Sequence, residues 1–210
     1  MTRVLLVDDH ALVRRGVRQL LSDEVPEVEV EEASTAAEAE QRLLAGGFDL
    51  AIVDLNLPDQ SGLSLLTVAG TLANPPAILI LSVYPESDFG LRCLRLGASG
   101  YLCKEGVAEE LVAAVRKALA GGRTLSPGLA GRLAGDASDA PPPSPLELLS
   151  DRELQVLRLV SAGASLREIA VQLALSEKTV ASYRARLAEK LGLSTNVALT
   201  RFALRHRLVD

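Results

Sequence analysis

Asp8 and Asp9 stand side by side immediately after the apolar run "RVLLV", residues 3–7. A single acid ending a buried strand is a common cap or turn residue. Two adjacent carboxylates repel one another and resist burial, so the pair calls for positive charge between them. Asp54 closes a second apolar run, "FDLAIVD"; Ser82 closes "AILILS", and Lys104 follows "GYL". Three acids meeting in one cleft would raise one another's pKa values unless they shared a divalent cation. Oxygen donors with open positions suit Mg2+, which keeps some of its water and takes a phosphate oxygen as a partner. A nearby lysine and hydroxyl then supply charge and a hydrogen bond to a phosphoryl oxygen. His10, beside the acid pair, is not counted as a ligand, because Mg2+ prefers oxygen and His10 begins a helical pattern.

These residues need elements that bring them together. The runs "RVLLV", "VEVEEA", "FDLAIVD", "AILILS" and "GYL" alternate with amphipathic helical patterns near 10–22, 35–45, 61–73, 86–96 and 107–120. Five βα units in regular order predict a five-stranded, doubly wound parallel sheet covered on both faces. Such sheets bind ligands at the carboxyl ends of their strands, near a switch in strand order. That rule gathers Asp8, Asp9, Asp54, Ser82 and Lys104 at one end of the sheet.

The remainder of the chain has a different character. Residues 1–145 carry 12 Lys+Arg against 20 Asp+Glu, a net −8, whereas residues 146–210 carry 10 against 7, a net +3. An acidic front and a basic tail argue for two modules with different partners, the second suited to a polyanion. Between them, 122–145 is rich in Gly, Ala, Ser and Pro, with a short helix expected near 127–134 and a semi-stiff, proline-bearing linker after it. The tail reads as four short helices. Ser150 with Glu153, and Ser165 with Glu168, are capping boxes; Ser176 opens a third helix that stops at Gly192; "NVALTRFALRHRLV" supplies a fourth. On the third, Val180, Leu187 and Leu191 form the buried stripe, with Lys178, Ser182 and Ala185 opposite and Ala181 and Arg186 flanking. Arg184 points nominally inward and must snorkel. A face of small and basic residues suits a major groove, with arginines gripping phosphate at its rim.

The bulk composition excludes several classes. Hydrophobic residues make up 48% of the chain, which rules out disorder of the whole, and 3% aromatic content leaves little for stacking platforms. Cys93 and Cys103, the only cysteines, are too few for a disulfide framework or a zinc site, and are expected to be small buried hydrophobes. The uncharged run from Gln60 to Pro85 is long enough for a membrane span, but Asn74, Pro75 and Pro76 divide it into helix, turn and buried strand. A soluble, cytoplasmic protein without membrane attachment is expected.

As a set, the acid pair, Asp54 followed by "LNLP" and Gly62, Ser82, Tyr101 and Lys104 resemble the receiver domain of bacterial two-component response regulators. The resemblance implies a flavodoxin-like receiver over 1–121, with Asp54 accepting a phosphoryl group from a sensor histidine kinase. It implies Mg2+ bound by Asp9, Asp54 and the backbone carbonyl of Asn56, with Asp8 acting mainly through water. Ser82 and Lys104 would contact the phosphoryl group, and Tyr101 would be the switch aromatic that turns inward. Two positions depart from the family pattern. Glu105 follows Lys104 where many receivers have proline, so the lysine loop is expected to differ; Val83 follows Ser82 where a smaller residue is frequent, narrowing access. Asn56 and Tyr84, each two residues past a pocket residue, are expected to flank the path of an attacking water, with Tyr84 leaning over the site.

Residues 149–208 resemble the LuxR-type helix-turn-helix of NarL/FixJ-type regulators, through the "LSDRE" start, the Gly and "EIA" core and the "SEKTV…EKLG" run. The implied domain covers 146–210, with Lys178, Thr179, Ala181, Ser182, Tyr183, Arg184 and Arg186 facing DNA. It departs at Leu166, usually polar, and at Tyr183, commonly His; Ala181 and Ala185 stand where some relatives have lysines. The whole reads as a phosphorylation-activated transcription regulator that binds promoter DNA as a homodimer, and not as an enzyme with a substrate of its own. A metal-dependent phosphohydrolase would leave the basic tail unexplained, and a pseudo-receiver sits poorly with the intact pocket set.

Overall fold

The computed structural model describes residues 1–105, 107–134 and 144–209. The chain forms two compact units, Met1–Pro141 and Pro142–Asp210. Most of the proline-bearing linker stretch, 135–143, lies outside the described residues.

The first unit alternates strands β1 (Thr2–Val7), β2 (Val28–Ala33), β3 (Leu50–Val53), β4 (Ala77–Ser82) and β5 (Gly100–Cys103) with helices α1 (Ala11–Glu24), α2 (Ala36–Ala45), α3 (Leu63–Ala69), α4 (Glu86–Arg95) and α5 (Val107–Leu119). All strand pairs are parallel, in the order β2-β1-β3-β4-β5. The order reverses direction between β1 and β3, so the crevice for a ligand lies outside their carboxyl ends. β3 is buried at every position and β4 at all but its first, as continuous apolar runs require when helices cover both faces. One core joins Val4, Leu6, Ile52, Leu79 and Leu81 from the sheet to Val17, Leu21, Leu111 and Val115 from α1 and α5. The edge strand β2 carries Glu29, Glu31 and Glu32, which pair with Arg3, Arg42, Arg14 and Arg18. Charge along an edge discourages pairing with another chain.

The uncharged run from Gln60 to Pro85 resolves into α3, a turn and β4. No helix among the described residues is long and apolar enough to cross a membrane. Helix α6 (Pro127–Ala134) packs on α4: Leu129 is buried, and a Cβ added at Gly90 would sit 3.1 Å from Leu129 Cδ2. Cys93 is buried as expected, but Cys103 is only half-buried, because it is the last residue of an edge strand.

The second unit contains a 3-10 helix (Pro145–Leu148) and helices α7 (Asp151–Ser161), α8 (Leu166–Gln172), α9 (Glu177–Leu191) and α10 (Asn196–Arg205). Both capping boxes form: Ser150 and Ser165 accept from the backbone N–H of Glu153 and Glu168, whose carboxylates accept from the serine N–H groups at 2.7 and 2.8 Å. Gly192 ends α9 with φ +66°, the left-handed region that a residue with a Cβ enters only at a cost.

Glu153 does more than cap. Its side chain is 3% exposed, and Lys190 of α9 pairs with it at 2.7 Å. Burial works to raise its pKa, but the Lys190 ammonium and the Ser150 hydrogen bonds outweigh burial and hold it below the ordinary glutamate value. A carboxylate with a lowered folded pKa adds stability above its unfolded pKa and loses it as pH falls through the folded pKa. Glu153→Gln should therefore lower the melting temperature of the second unit at neutral pH, and the gap to wild type should close in acid. Thermal melts between neutral pH and pH about 3 check this; a gap independent of pH would contradict it.

Candidate functional site

Each acid reaches the site because its strand ends there. Asp8 follows β1, Asp54 follows β3, and both are 1% exposed. Lys104 follows β5, and its ammonium lies 2.6 Å from Asp8 Oδ2 and 2.7 Å from Asp54 Oδ2. It bridges two carboxylates from neighbouring strands, Asp8 and Asp54. Burial pushes the Asp54 carboxyl above its ordinary value, Lys104 draws it back, and Asp8 adds to the rise. For Lys104, burial opposes the charged form, but Asp54 and then Asp8 prevail and hold its pKa above the usual lysine value.

Asp9 is one-third exposed, on the solvent side of the cluster, with Oδ1 2.7 Å from His10 Nδ1. Asp8, Asp9, His10 and Asp54 offer ligand atoms that all lie within 4.8 Å of one another. His10 is the N-terminal cap residue of α1, as its position in the pattern implies, yet its ring turns back to the acids. Starting a helix therefore does not remove it from the cluster; the remaining reason to discount it is the preference of a hard cation for oxygen. The donor set fits such a cation, with the carboxylates of Asp8, Asp9 and Asp54 close together and, on the loop that follows Asp54, a buried Asn56 Oδ1 without a hydrogen-bond partner.

The loop after β3 is tightly built. Asn56 N–H donates to Asp54 Oδ1 at 3.1 Å, and Asn56 bridges back to Ser61. Asp59 reaches back to the N-terminus of the preceding helix α2, accepting from the N–H groups of Ala36 and Ala37 at 2.9 Å each. Gly62 comes so near the Asp54 carbonyl that an added Cβ would lie 2.0 Å from that oxygen. Gly62→Ala must displace backbone, so it should cost about 1–3 kcal/mol of stability, as overpacking generally does. Denaturant unfolding measures this; a cost below about 0.5 kcal/mol, usual for a surface change, would show that the loop yields freely.

Ser82 is fully buried at the end of β4 and accepts from Tyr84 N–H at 3.3 Å, while its carbonyl accepts from Lys104 N–H at 2.8 Å. Tyr101 is inward in this structure, its hydroxyl donating to the Tyr84 carbonyl at 2.9 Å. Burial, first of several causes, pushes that hydroxyl's pKa well above the ordinary tyrosine value, so it stays a donor. One expectation needs correction. Tyr84 does not stand free over the site: it is buried, its ring 5.1 Å from Phe89 of α4. Val83 beside it is exposed. The backbone contains no cis peptide bond among the described residues, and Lys104–Glu105 is trans.

In the second unit, Val180 and Leu187 of α9 are fully buried, and Lys178, Ala181, Ser182, Ala185 and Arg186 are exposed. Thr179, Tyr183 and Arg184 are partly covered. Thr179 belongs to the cap, with its N–H on Ser176 Oγ and its hydroxyl 2.8 Å from the same oxygen. Ser182 hydroxyl donates back to the Lys178 carbonyl. The Arg186 guanidinium lies 5.9 Å from the Tyr183 ring centre. Arg184 snorkels as expected, but onto a partner that its sequence position does not reveal: Nε and Nη2 both reach Asn196 Oδ1, the first residue of α10. Two residues of the first site, Asp59 and Arg14, escape a reading of the sequence, since nothing local marks either as a clamp on the acidic loops.

Comparison with known proteins gives consistent matches across the chain. Residues 4–116 match the response regulator receiver domain. Residues 147–203 match the bacterial regulatory proteins of the luxR family. The response regulator UvrY of Shigella flexneri is 35% identical over 211 residues, covering 100% of this chain and 97% of its own. The transcriptional regulatory protein UhpA of Salmonella typhimurium is 38% identical over 210 residues, covering 100% and 99%. Among solved structures, RcsB from Salmonella enterica serovar Typhimurium, bound to promoter rprA with a phosphomimetic, gives a TM-score of 0.70 at 27% identity, covering 96% of this chain and 97% of that one.

Proposed function

This chain belongs to the response regulators that join a receiver domain to a LuxR-type DNA-binding domain, the NarL/FixJ type, and on that footing we propose that it is a transcription regulator switched by phosphorylation of Asp54. The observation that carries the reading is Lys104 bridging Asp8 and Asp54 at the strand ends, in a chain whose other unit presents a basic helix. The division is a receiver at 1–121, a linker at 122–145 and a DNA-binding domain at 146–210. It acts in the cytoplasm, takes its phosphoryl group from a sensor histidine kinase, and performs only its own Mg2+-dependent phosphorylation and dephosphorylation.

Asp9, Asp54 and the Asn56 carbonyl would hold Mg2+, with Asp8 assisting through water; the ion supplies charge that draws together carboxylate and phosphoryl oxygens. Asp54 is the nucleophile, presenting a carboxylate oxygen to phosphorus. Lys104 and the Ser82 hydroxyl stabilise the transferred group, and Ser82 acts on Tyr84 N–H, whose carbonyl holds Tyr101. That connected set links phosphate to the start of α4. A shift in the receiver then favours a dimer that places two copies of α9 in successive major grooves. RcsB, for comparison, is described bound to promoter DNA. The test is labelling with acetyl phosphate and Mg2+, followed by footprinting on genomic DNA with and without label. Absence of labelling under conditions where the protein is folded overturns the reading.

A further inference from the structure

One basic side chain beside the site is unaccounted for by the phosphoryl chemistry. Arg14 lies in the first turn of α1, yet its guanidinium runs back to the turn before the helix. Nη1 donates to the Asp8 backbone carbonyl at 2.6 Å, and Nε donates to Glu32 Oε2 of the edge strand β2 at 2.9 Å. The side chain is only 17% exposed. Glu32 is held in turn by Arg18 at 3.1 Å through its other oxygen. The Asp8 turn is thus gripped at each of its polar groups: its N–H donates to Ala33, its Oδ1 accepts from His10 N–H, its Oδ2 pairs with Lys104, and its carbonyl accepts from Arg14.

We infer that Arg14 is a positioning residue for the acid pair, clamped by Glu32 so that Asp8 and Asp9 face a divalent cation. The inference rests on the metal reading above. A guanidinium on the backbone carbonyl fixes the peptide that joins Asp8 to Asp9, and that peptide sets where both carboxylates point. The charge of Arg14 would by itself repel a cation; Glu32, shared with Arg18, offsets it only in part, so the fork geometry must outweigh what repulsion remains. Groups that orient metal ligands in this way commonly govern affinity by roughly 10–100-fold.

The experiment is calorimetric titration of Mg2+ into the full chain, for wild type, Arg14→Ala, Arg14→Lys and Glu32→Gln, alongside acetyl phosphate labelling across a Mg2+ series. Arg14→Ala should weaken Mg2+ binding roughly tenfold or more, while labelling at saturating Mg2+ returns close to the wild-type rate. Arg14→Lys, with one point donor, should recover part of the loss. Glu32→Gln, which keeps an acceptor, should fall between wild type and Arg14→Ala. Unchanged or tighter binding by Arg14→Ala overturns the inference, since repulsion would then outweigh positioning. A lost labelling rate that Mg2+ does not restore, with a lowered melting temperature, also overturns it, because the role would be structural only. If the wild type itself binds no Mg2+, the metal reading falls and the inference with it, an outcome distinct from failure at Arg14 alone.

Discussion

Asp54→Asn should lose all labelling by acetyl phosphate, a drop of at least about a hundredfold, while the folded state survives. The amide keeps the shape of the carboxylate and can still accept from Asn56 N–H, but it lacks the anionic oxygen that attacks phosphorus. No neighbour is placed to substitute. Both oxygens of Asp8 are engaged, by His10 N–H and by Lys104, and Asp9 Oδ1 is held by the His10 ring. Lys104 retains Asp8 as an ionic partner, so circular dichroism should change little. Labelling is read by retardation on a phosphate-affinity gel, with wild type and variant at equal Mg2+. A variant labelled near the wild-type rate would move the acceptor to another residue.

Lys178→Ala and Arg186→Ala should each weaken DNA binding and flatten its salt dependence, by about one unit in the log–log slope for each phosphate no longer neutralised. Both side chains are exposed on α9, and both can displace condensed counterions. Arg184 should behave differently. Two of its nitrogens are committed to Asn196, which fastens α9 to the start of α10. Arg184→Ala is expected to lower the melting temperature of the second unit, and to lower affinity through misplacement of α9, with a smaller change in slope. Fluorescence anisotropy with duplex DNA over a salt series separates the two cases. If Lys178 and Arg186 leave the slope untouched while Arg184 changes it most, the assignment of the DNA-facing surface is reversed.

These expectations draw unequally on the sequence and on the fold. Each acid and the lysine were legible because a strand end is a local event: an apolar run stops and a charge follows. Parallel topology then carries such positions to one edge whatever the intervening helices contain. The same holds for Ser150, Ser165, Ser176 and Gly192, whose capping roles depend on residues no more than four away. Of the inward stripe of α9, Val180 and Leu187 followed from helical period alone, whereas Leu191, the last residue of the helix, is only half-buried.

What escaped was the destination of long or exposed side chains. Arg184 lies on α9, His10 caps α1 and Tyr84 follows β4, but their partners, Asn196, the acid pair and Phe89, depend on rotamers chosen by surrounding packing. Arg14 reaches Glu32 across 18 positions, Asp59 reaches Ala36 across 23, and Lys104 reaches Asp54 across 50. Hydrophobic period and caps say where a backbone turns and which face it buries, because those signals act within a few residues. They say nothing about which of several arginines in "ALVRRGVR" folds back onto Asp8 rather than into water. The sequence therefore determined two modules, a strand-end pocket of carboxylates and lysine, and a basic helix. The clamps that aim those groups were decided only by tertiary structure, since a side chain finds its partner through distances that exist only once the sheet and helices have packed.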